Sequence, residues 1–315
     1  MSRIKLPINL ATFTKPQIRE WINSFEVILT DCDGVLWLYT NILRDSNSVI
    51  NRLLDMGKKV YFITNNSTKT RQELVEKANL MNFNVGIDSM ISTAYLAGQY
   101  LKQRNFCKKV YIVGSTGISR ELDALGISNF GVGPDVLTSN LMTLVNDEFK
   151  QEPGVGAVIV GFDEHFSFPK MMKAASYLND PETLFIATNT DERFPMPNFI
   201  VPGTGSMVRS IETCAERKAI VMGKPENWLC DIFFKEEIKR DSKKFLMIGD
   251  RLNTDIWFGK NNNFKTLLVE SGVHKIEKVQ EMVDKINAGE AEADLEKQVP
   301  DFYISTLGDL FNNYD

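Results

Sequence analysis

Residues 25–35 read FEVILTDCDGV, a mostly apolar run that stops at two acidic residues and a glycine. Residues 25–30 have the length and the β-branched and aromatic content of a buried strand. Asp31 and Asp33 follow at once, and Gly34 lets the backbone turn sharply. Because ligands of open α/β sheets bind at the carboxyl ends of the strands, the stretch predicts a parallel sheet with a site at its edge.

The same alternation of apolar strands and amphipathic helices continues along the chain. It predicts strands at residues 25–30, 59–63, 87–91, 110–113, 157–160, 184–187, 245–248, 266–269 and 302–304. It predicts helices at residues 45–56, 70–81, 95–104, 117–125, 169–178, 206–217, 228–238, 254–261 and 276–286. This order indicates the α/β class, with a parallel sheet that is covered on both faces.

Composition excludes several classes of function. The formal net charge of −5 argues against a nucleic-acid partner, because phosphate backbones attract basic surfaces. The four cysteines form no CxxC pair, so neither a zinc knuckle nor a disulfide scaffold is expected. No secretory signal is recognisable, and no window of about 18 apolar residues predicts a membrane span. We therefore expect a cytoplasmic protein without a membrane partner.

Two carboxylates spaced two residues apart suit phosphoryl transfer. The carboxylate of Asp31 can attack phosphorus and form an aspartyl-phosphate. The carboxyl of Asp33 can give a proton to the leaving oxygen. A plain Asp-rich turn that caps the next element is the alternative for this motif alone. An EF-hand is excluded, because its acidic ligands and closing Glu are missing.

A hydroxyl and a lysine follow later in the chain. Thr64 follows the strand predicted at 59–63 and begins the polar stretch 64–68, which could cradle phosphate with its amides or simply cap a helix. Lys224, in Gly223-Lys224-Pro225, could neutralise phosphate charge or lie in solvent. It is not a Walker A lysine, because Pro225 stands where that motif has Ser or Thr.

A third acidic group follows the strand predicted at 245–248. Asp250 follows this strand after Gly249, and Asp255 is expected to orient the loop; capping of the following helix is the alternative for both. Asp31, Asp33 and Asp250 together offer the oxygen ligands that Mg²⁺ prefers. Each signal is weak alone, but all of them fall where one sheet edge can gather them.

The order of these motifs resembles the haloacid dehalogenase superfamily. Its pattern is two aspartates after the first strand, a Thr or Ser after the second, a lysine, and a Gly-Asp pair followed by another Asp. The strings DCDGVLW, FITNNSTKTR, PGTGS, GKP and GDRLNTDI are similar to the branch of 4-nitrophenylphosphatases and phosphoglycolate and pyridoxal phosphatases. The resemblance implies a Rossmann-like parallel-sheet core with an inserted α/β cap, dependence on Mg²⁺, and homodimers formed through the cap.

The resemblance also implies a role for each matching residue. Asp31 would be the nucleophile and Asp33 the acid/base. The phosphate-binding residues would be Thr64, Asn65 and Lys224. The Mg²⁺ ligands would be Asp31, the backbone carbonyl of Asp33, and Asp250. Gly34 and Asp255 would support the site.

The spacing of the motifs places the insertion. Positions 31 and 64 are 33 residues apart, whereas positions 64 and 224 are 160 apart, which leaves room for a whole domain. The predicted division is a core at 1–101 and 218–315 with a cap at 102–217. A lid over the strand ends favours small phosphorylated metabolites. In it, His165 and the loop 190–197, with Arg193 as an anion-binding group, are the candidates for leaving-group selection.

Several functions compete with a phosphatase that acts on phosphoglycolate or a similar metabolite. Pyridoxal phosphate is the alternative substrate. A cysteine-dependent phosphatase is disfavoured, because no cysteine is followed six positions later by arginine. A sugar-phosphate mutase usually carries its cap between the first two motifs, which this chain does not. A non-catalytic binding module is disfavoured by the presence of every motif residue.

Overall fold

The computed structural model describes residues 3–194, 198–290 and 292–312, apart from the side chain of Glu148. Its strands are β1 (Ile8–Asn9), β2 (Val27–Thr30), β3 (Trp37–Leu38), β4 (Asn41–Ile42), β5 (Lys59–Thr64), β6 (Met90–Ser92), β7 (Lys109–Val113), β8 (Asn129–Phe130), β9 (Val155–Val160), β10 (Leu184–Ala187), β11 (Arg193–Phe194), β12 (Val201–Pro202), β13 (Ile220–Val221), β14 (Phe245–Gly249), β15 (Lys265–Val269) and β16 (Phe302–Ile304). Its helices are α1 (Lys15–Asn23), α2 (Ser46–Asp55), α3 (Arg71–Leu80), α4 (Thr93–Lys102), α5 (Thr116–Asp123), α6 (Leu141–Thr143), α7 (Phe168–Leu178), α8 (Thr204–Ala215), α9 (Trp228–Phe233), α10 (Lys235–Asp241), α11 (Trp257–Asn261) and α12 (Ile276–Ala288).

The chain divides into two compact units. The core unit holds the residues up to Thr64, Leu74–Ile91 and the residues from Lys224 onward. The inserted unit holds Asn65–Glu73 and Ser92–Gly223. Each unit has its own sheet, which confirms the predicted α/β core with an inserted α/β domain. The domain limits 1–101, 102–217 and 218–315 stay a prediction.

The seven-stranded sheet of the core unit has the order β1-β16-β15-β14-β2-β5-β6. Strand β2 lies inside this sheet, between β14 and β5; it is buried along its whole length and runs parallel to both neighbours. Thr30 at the end of β2 lies opposite Ile248 of β14 and Phe62 of β5. The residues that follow β2, β5 and β14 therefore emerge at the same edge of the sheet.

Both faces of the core sheet are covered, as predicted. Leu267 and Val269 of β15 belong to one hydrophobic cluster, and Leu268 between them belongs to another. Alternate residues of a strand point to opposite faces, so the two clusters lie on the two sides. Each fully buried aliphatic side chain of this kind contributes about 1.5–3 kcal/mol.

The inserted unit is built on a five-stranded sheet of order β13-β10-β9-β7-β8, whose pairings are all parallel. Helices α7 and α8 pack against it through a buried cluster that includes Ala174, Val208 and Ile211. The strands β11 and β12 form a separate antiparallel pair. No helix of the described residues is both long and apolar enough to cross a membrane.

Several local features differ between the prediction and the structure. The helix predicted at 228–238 is two helices, because Phe234 between them has a non-helical φ of −126°. The strand predicted at 87–91 begins with a 3₁₀ turn, so that β6 starts only at Met90. Helix α1 was not predicted, although Thr14 and Gln17 form a capping box that marks its start.

Candidate active site

Asp31 stands at the first position after β2, at the edge of the core sheet. Its backbone N–H donates to the carbonyl of Ile248 on β14 at 2.9 Å, which extends the ladder by one residue. Its carboxylate Oδ1 accepts a hydrogen bond from Lys224 Nζ at 2.7 Å. The sheet thus fixes the backbone of Asp31, and the lysine fixes its carboxylate.

Lys224 is a buried cation held by three oxygens. Its Nζ lies 2.7 Å from Oδ1 of Asp31 and 2.7 Å from Oδ1 of Asp255, and it donates to the carbonyl of Ile63 at 3.2 Å. Burial opposes the charge, but Asp255 and Asp31 outweigh it and raise the pKa of the Lys224 amine. The lysine is therefore charged across the physiological pH range.

Asp250 follows β14 and is almost fully buried. Its Oδ2 accepts the N–H of Val273 at 2.7 Å, whereas its Oδ1 has no hydrogen-bond partner among the described residues. Gly34 passes close by: a Cβ there would lie 2.6 Å from Oδ2 of Asp250, and its φ is +90°. Only glycine combines this conformation with this approach, which accounts for the residue at position 34.

The acidic groups of this edge carry more charge than Lys224 can balance. Oxygen atoms of Asp31, Asp250 and Asp255 all lie within 4.8 Å of one another. Burial raises the pKa of Asp31 well above its usual value, and burial together with Asp255 raises the pKa of Asp250 to about 7. Three crowded carboxylates, one with an unpartnered oxygen, fit a hard divalent cation such as Mg²⁺.

The carboxyl of Asp33 lies in a different environment from that of Asp31. Its carboxyl is not one of the three that cluster, and a metal-ligand role for its backbone carbonyl stays a prediction. Oδ1 of Asp33 lies 3.7 Å from Nζ of Lys77 on α3, and the side chain is 35% exposed. The carboxyl is therefore accessible to a reacting group and faces a cation of its own.

The predicted phosphate-binding residues are divided between the two units. Thr64 ends β5, the neighbour of β2, and is buried in the core unit. Asn65 belongs to the inserted unit, where its Nδ2 donates to Oδ1 of Asp191 at 3.2 Å. Its carbonyl accepts hydrogen bonds from the side chains of Asn189 and Thr93.

The specificity candidates lie in the inserted unit. His165 is 43% exposed, and its backbone N–H donates to Oδ1 of Asp163 at 2.9 Å. Arg193 is exposed on β11, which pairs with β12. Of the predicted loop 190–197, residues 195–197 lie outside the described residues.

Sequence reasoning undervalued two residues of this site. Asp255 was expected only to orient a loop, yet its Oδ1 contacts Lys224 and it belongs to the group of three carboxylates. The Gly-Asp…Asp spacing carries that signal. Lys77 was not singled out, because nothing in the pattern of α3 distinguishes it from an ordinary helix-surface lysine.

Comparison with known proteins decides the family. A profile of haloacid dehalogenase-like hydrolases matches residues 28–128, and a second, HAD-hydrolase-like profile matches residues 221–310. The chain belongs to the haloacid dehalogenase-like hydrolases. This phosphatase lies in the branch that includes the 4-nitrophenylphosphatases and phosphoglycolate phosphatases, as its motifs predicted.

Individual relatives match nearly the whole length of the phosphatase. Glycerol-3-phosphate phosphatase of Mus musculus is 38% identical to this chain. The alignment covers 90% of this chain and 89% of the Mus musculus protein. Phosphoglycolate phosphatase 1A of Arabidopsis thaliana, a chloroplastic protein, is 33% identical over 97% of this chain and 82% of its own.

Solved structures share the fold. The 4-nitrophenylphosphatase of Thermotoga maritima gives a TM-score of 0.74 at 24% identity, covering 93% of this chain and 99% of its own. A glycerol phosphate phosphatase of Mycobacterium tuberculosis, crystallised with magnesium, gives 0.68 at 21% identity, covering 92% of this chain and 77% of its own.

Proposed function

We propose that this phosphatase hydrolyses small phosphate monoesters through an aspartyl-phosphate on Asp31, with phosphoglycolate or a similar short-chain metabolite as its substrate. Relatives named for glycerol 3-phosphate and for phosphoglycolate support this class of ester. Pyridoxal phosphate is the alternative substrate, and 4-nitrophenyl phosphate is an artificial one. The observation that carries the proposal is the contact of 2.7 Å between the carboxylate of Asp31 and the buried Lys224.

The first step is attack by Asp31. One carboxylate oxygen forms a bond to phosphorus while the bond from phosphorus to the ester oxygen breaks. The ammonium of Lys224 holds the attacking carboxylate in place and offsets the negative charge that the phosphate brings. Thr64, Asn65 and Lys224 are the proposed phosphate-binding residues.

Asp33 moves the protons of both steps. It gives a proton to the departing alkoxide in the first step and takes one from water as that water attacks the aspartyl-phosphate in the second. Its partial exposure leaves the carboxyl free to approach a leaving group. The products are the alcohol and inorganic phosphate.

Mg²⁺ is the proposed cofactor. Asp31, the carbonyl of Asp33 and Asp250 would hold it, with Asp255 beside them. When bound, the cation supplies neutralisation of phosphate charge and orients the ester for in-line attack. EDTA should abolish turnover, and added Mg²⁺ should restore it.

The substitution Asp31→Asn tests the mechanism, because it keeps the shape of the side chain and removes the nucleophile. We expect kcat for 4-nitrophenyl phosphate to fall by at least about 10³-fold. Asp45→Asn is the matched control: Asp45 is exposed, its side chain makes no capping hydrogen bond, and Asn tolerates its φ of +53°. Substantial turnover by Asp31→Asn, with a circular dichroism spectrum like that of the wild type, would refute the proposal.

The choice of substrate needs separate measurements. A panel of phosphoglycolate, glycerol 3-phosphate and pyridoxal phosphate, ranked by kcat/KM, decides among metabolites. Arg193→Gln should lower kcat/KM for anionic phosphoglycolate more than for 4-nitrophenyl phosphate if Arg193 binds the leaving group. Transfer of labelled phosphate within a sugar would favour a mutase, and inactivity on every ester would favour a binding module.

Homodimerisation through the inserted unit and cytoplasmic localisation also stay proposals. The apolar side chains of Val136, Leu141, Met142 and Val145 in this unit are exposed, which is compatible with a subunit contact. Analytical ultracentrifugation of the wild type and of Met142→Glu tests the dimer. A monomer at micromolar concentration would remove that part of the proposal.

A further inference from the structure

Lys77 reaches from α3 to the motif that carries both reactive carboxyls. Its Nζ lies 3.7 Å from Oδ1 of Asp33 and 4.6 Å from the centre of the Trp37 ring. All three residues belong to the core unit. The lysine side chain is only 21% exposed, so its ammonium is confined rather than free to sample solvent.

Asp33 and Trp37, which both lie close to the Lys77 ammonium, are fixed relative to each other. Asp33 and Trp37 form an isolated bridge, and the N–H of Gly34 donates to the carbonyl of Trp37 at 2.8 Å. The Trp37 ring is fully buried and packs edge-on against Phe83, with 5.5 Å between centroids. A cation over such a ring face is held by the ring's quadrupole. Trp37 is therefore a rigid support that places the Lys77 ammonium beside Asp33.

The two catalytic aspartates thus have separate cations. Asp31 contacts Lys224 at 2.7 Å, which suits a nucleophile that must keep one orientation. Asp33 faces Lys77 at 3.7 Å, beyond hydrogen-bond distance, and its carboxyl stays partly exposed. A cation at this distance attracts a carboxylate and orients it without making a hydrogen bond to Oδ1.

We propose that Lys77 is a positioning residue that prepares Asp33 for proton transfer to the leaving group. The inference rests on the proposed function, since it assigns Lys77 to a step of that reaction. As the bond from phosphorus to the ester oxygen breaks, the proton of Asp33 passes to that oxygen and a carboxylate remains. The ammonium of Lys77 faces this new negative charge and stabilises it, and Lys77 itself neither gains nor loses a proton.

This role predicts a dependence on the leaving group. The alkoxide of glycerol 3-phosphate is a poor leaving group that needs protonation, whereas 4-nitrophenolate departs without it. The constant kcat/KM covers the reaction up to the first irreversible step, so it reports departure of the alcohol and not the later hydrolysis of the aspartyl-phosphate. A defect in positioning Asp33 should therefore affect kcat/KM for the two esters unequally.

Lys77→Met is the central variant, because methionine keeps an apolar stem against Trp37 and removes the charge. We expect kcat/KM to fall at least about tenfold for glycerol 3-phosphate and less than about threefold for 4-nitrophenyl phosphate. Lys77→Arg, which keeps the charge, should recover most of the loss. Lys102→Met is the matched control: Lys102 is likewise the basic residue in the last turn of its helix, but it is exposed. It should behave as the wild type.

A double-mutant cycle with Asp33→Asn shows whether Lys77 acts through Asp33. In the Asp33→Asn background, Lys77→Met should cost less than about twofold in kcat/KM for glycerol 3-phosphate. An equal loss for both esters, or a full additive loss in the cycle, would overturn the inference and leave a structural role. Unchanged activity of Lys77→Met on both esters would overturn it too. The proposed function fails on a different result, namely turnover by Asp31→Asn.

Discussion

Each unit of the molecule buries a lysine against aspartate, and the two clusters differ in how their charges balance. In the inserted unit, Lys170 is fully buried and its Nζ lies 2.5 Å from Oδ2 of Asp163. In the core unit, Lys224 is 5% exposed and contacts both Asp31 and Asp255 at 2.7 Å. The first cluster pairs one cation with one anion, whereas the second places one cation among several anions.

The cluster of the inserted unit is a structural ion pair, whereas the cluster of the core unit has the unbalanced charge expected of a ligand-binding site. Both oxygens of Asp163 are engaged, since Oδ1 accepts the N–H of His165 and Oδ2 faces Lys170. Asp250 near Lys224 keeps a buried oxygen without a hydrogen-bond partner in the described chain. Burying unpaired charge is costly, so a fold keeps such an excess only where something binds to it. Burial of a lysine alone would not have distinguished the two clusters.

The largest expected effect on stability comes from breaking the balanced pair. Lys170→Met leaves the Asp163 carboxylate buried and unpaired, which should destabilise the inserted unit by about 3–5 kcal/mol. The double variant Asp163→Asn/Lys170→Met removes both charges and keeps an acceptor for His165, so it should be more stable than the single variant. Hydrogen exchange of β7, β9 and β10, followed by mass spectrometry, measures the opening of this unit.

An exposed pair supplies the control for that experiment. Lys278 and Glu281 on α12 lie 3.0 Å apart and are both more than half exposed. Lys278→Met should change stability by no more than about 0.5 kcal/mol. If Lys170→Met were as mild as this control, burial of the pair would carry no energetic weight and the contrast between the clusters would fail.

A smaller effect is expected when Mg²⁺ is added to the unbalanced cluster. At a concentration of 100 times its Kd, the cation should stabilise the core unit by about 2.7 kcal/mol. Tryptophan fluorescence in urea measures this selectively, because the four tryptophans, at positions 21, 37, 228 and 257, all lie in the core unit. Asp250→Asn should abolish the shift by removing a ligand charge.

Asp163→Asn is the counterpart in the balanced cluster. It changes the same residue type in the inserted unit, and the stabilisation of the core unit by Mg²⁺ should survive it. If Mg²⁺ stabilised the Asp250→Asn variant as much as the wild type, the cation would have to bind elsewhere. Absence of any stabilisation in the wild type would contradict the metal site itself.

The sheet edge could be predicted from the sequence because its determinants are local. An apolar strand followed by Asp31, another followed by Asp250, and a parallel register suffice to bring both groups to one edge. The strand predicted at 59–63 is found at Lys59–Thr64 for the same reason. The α/β class and the inserted domain follow from the alternation of strands and helices and from the long gap before Lys224.

What escaped prediction depends on the packing of side chains from distant segments. The distance from Lys77 to Asp33 depends on how far α3 is rotated about its axis. The hydrophobic pattern of α3 alone does not define that rotation. The D-x-D-G pattern likewise does not show that the carboxyl of Asp31 lies near Lys224 and that of Asp33 near Lys77. The break at Phe234 was not predicted, because the residues of 228–238 are compatible with one continuous helix and tertiary packing overrode their propensity.

A third cluster with the opposite imbalance gives the smallest expected effect. Asp301 in the core unit is 21% exposed and accepts hydrogen bonds from Lys260 Nζ at 2.9 Å and from the N–H of Thr266 at 3.0 Å, with Lys265 at 3.5 Å. Burial raises its pKa, but Lys260, Lys265 and Thr266 outweigh that effect, and the net pKa is lowered. One anion here is surrounded by cations, so the cluster is satisfied without a ligand. We expect Asp301→Asn to cost about 1–2 kcal/mol at pH 7.

The pH dependence of that cost tests its origin. A carboxyl whose pKa is lower in the folded than in the unfolded protein stabilises the fold above the unfolded pKa of about 3.9 and loses this contribution as the pH falls through the folded pKa. The difference in unfolding free energy between wild type and Asp301→Asn should therefore be constant from pH 7 to about pH 5 and shrink below about pH 4. Tryptophan fluorescence in urea measures it, with Asp88→Asn, at an exposed position, as a control that should show no difference at any pH. A cost of Asp301→Asn that stayed the same at pH 3 would mean that hydrogen-bond geometry, and not the surplus of cations, stabilises this cluster.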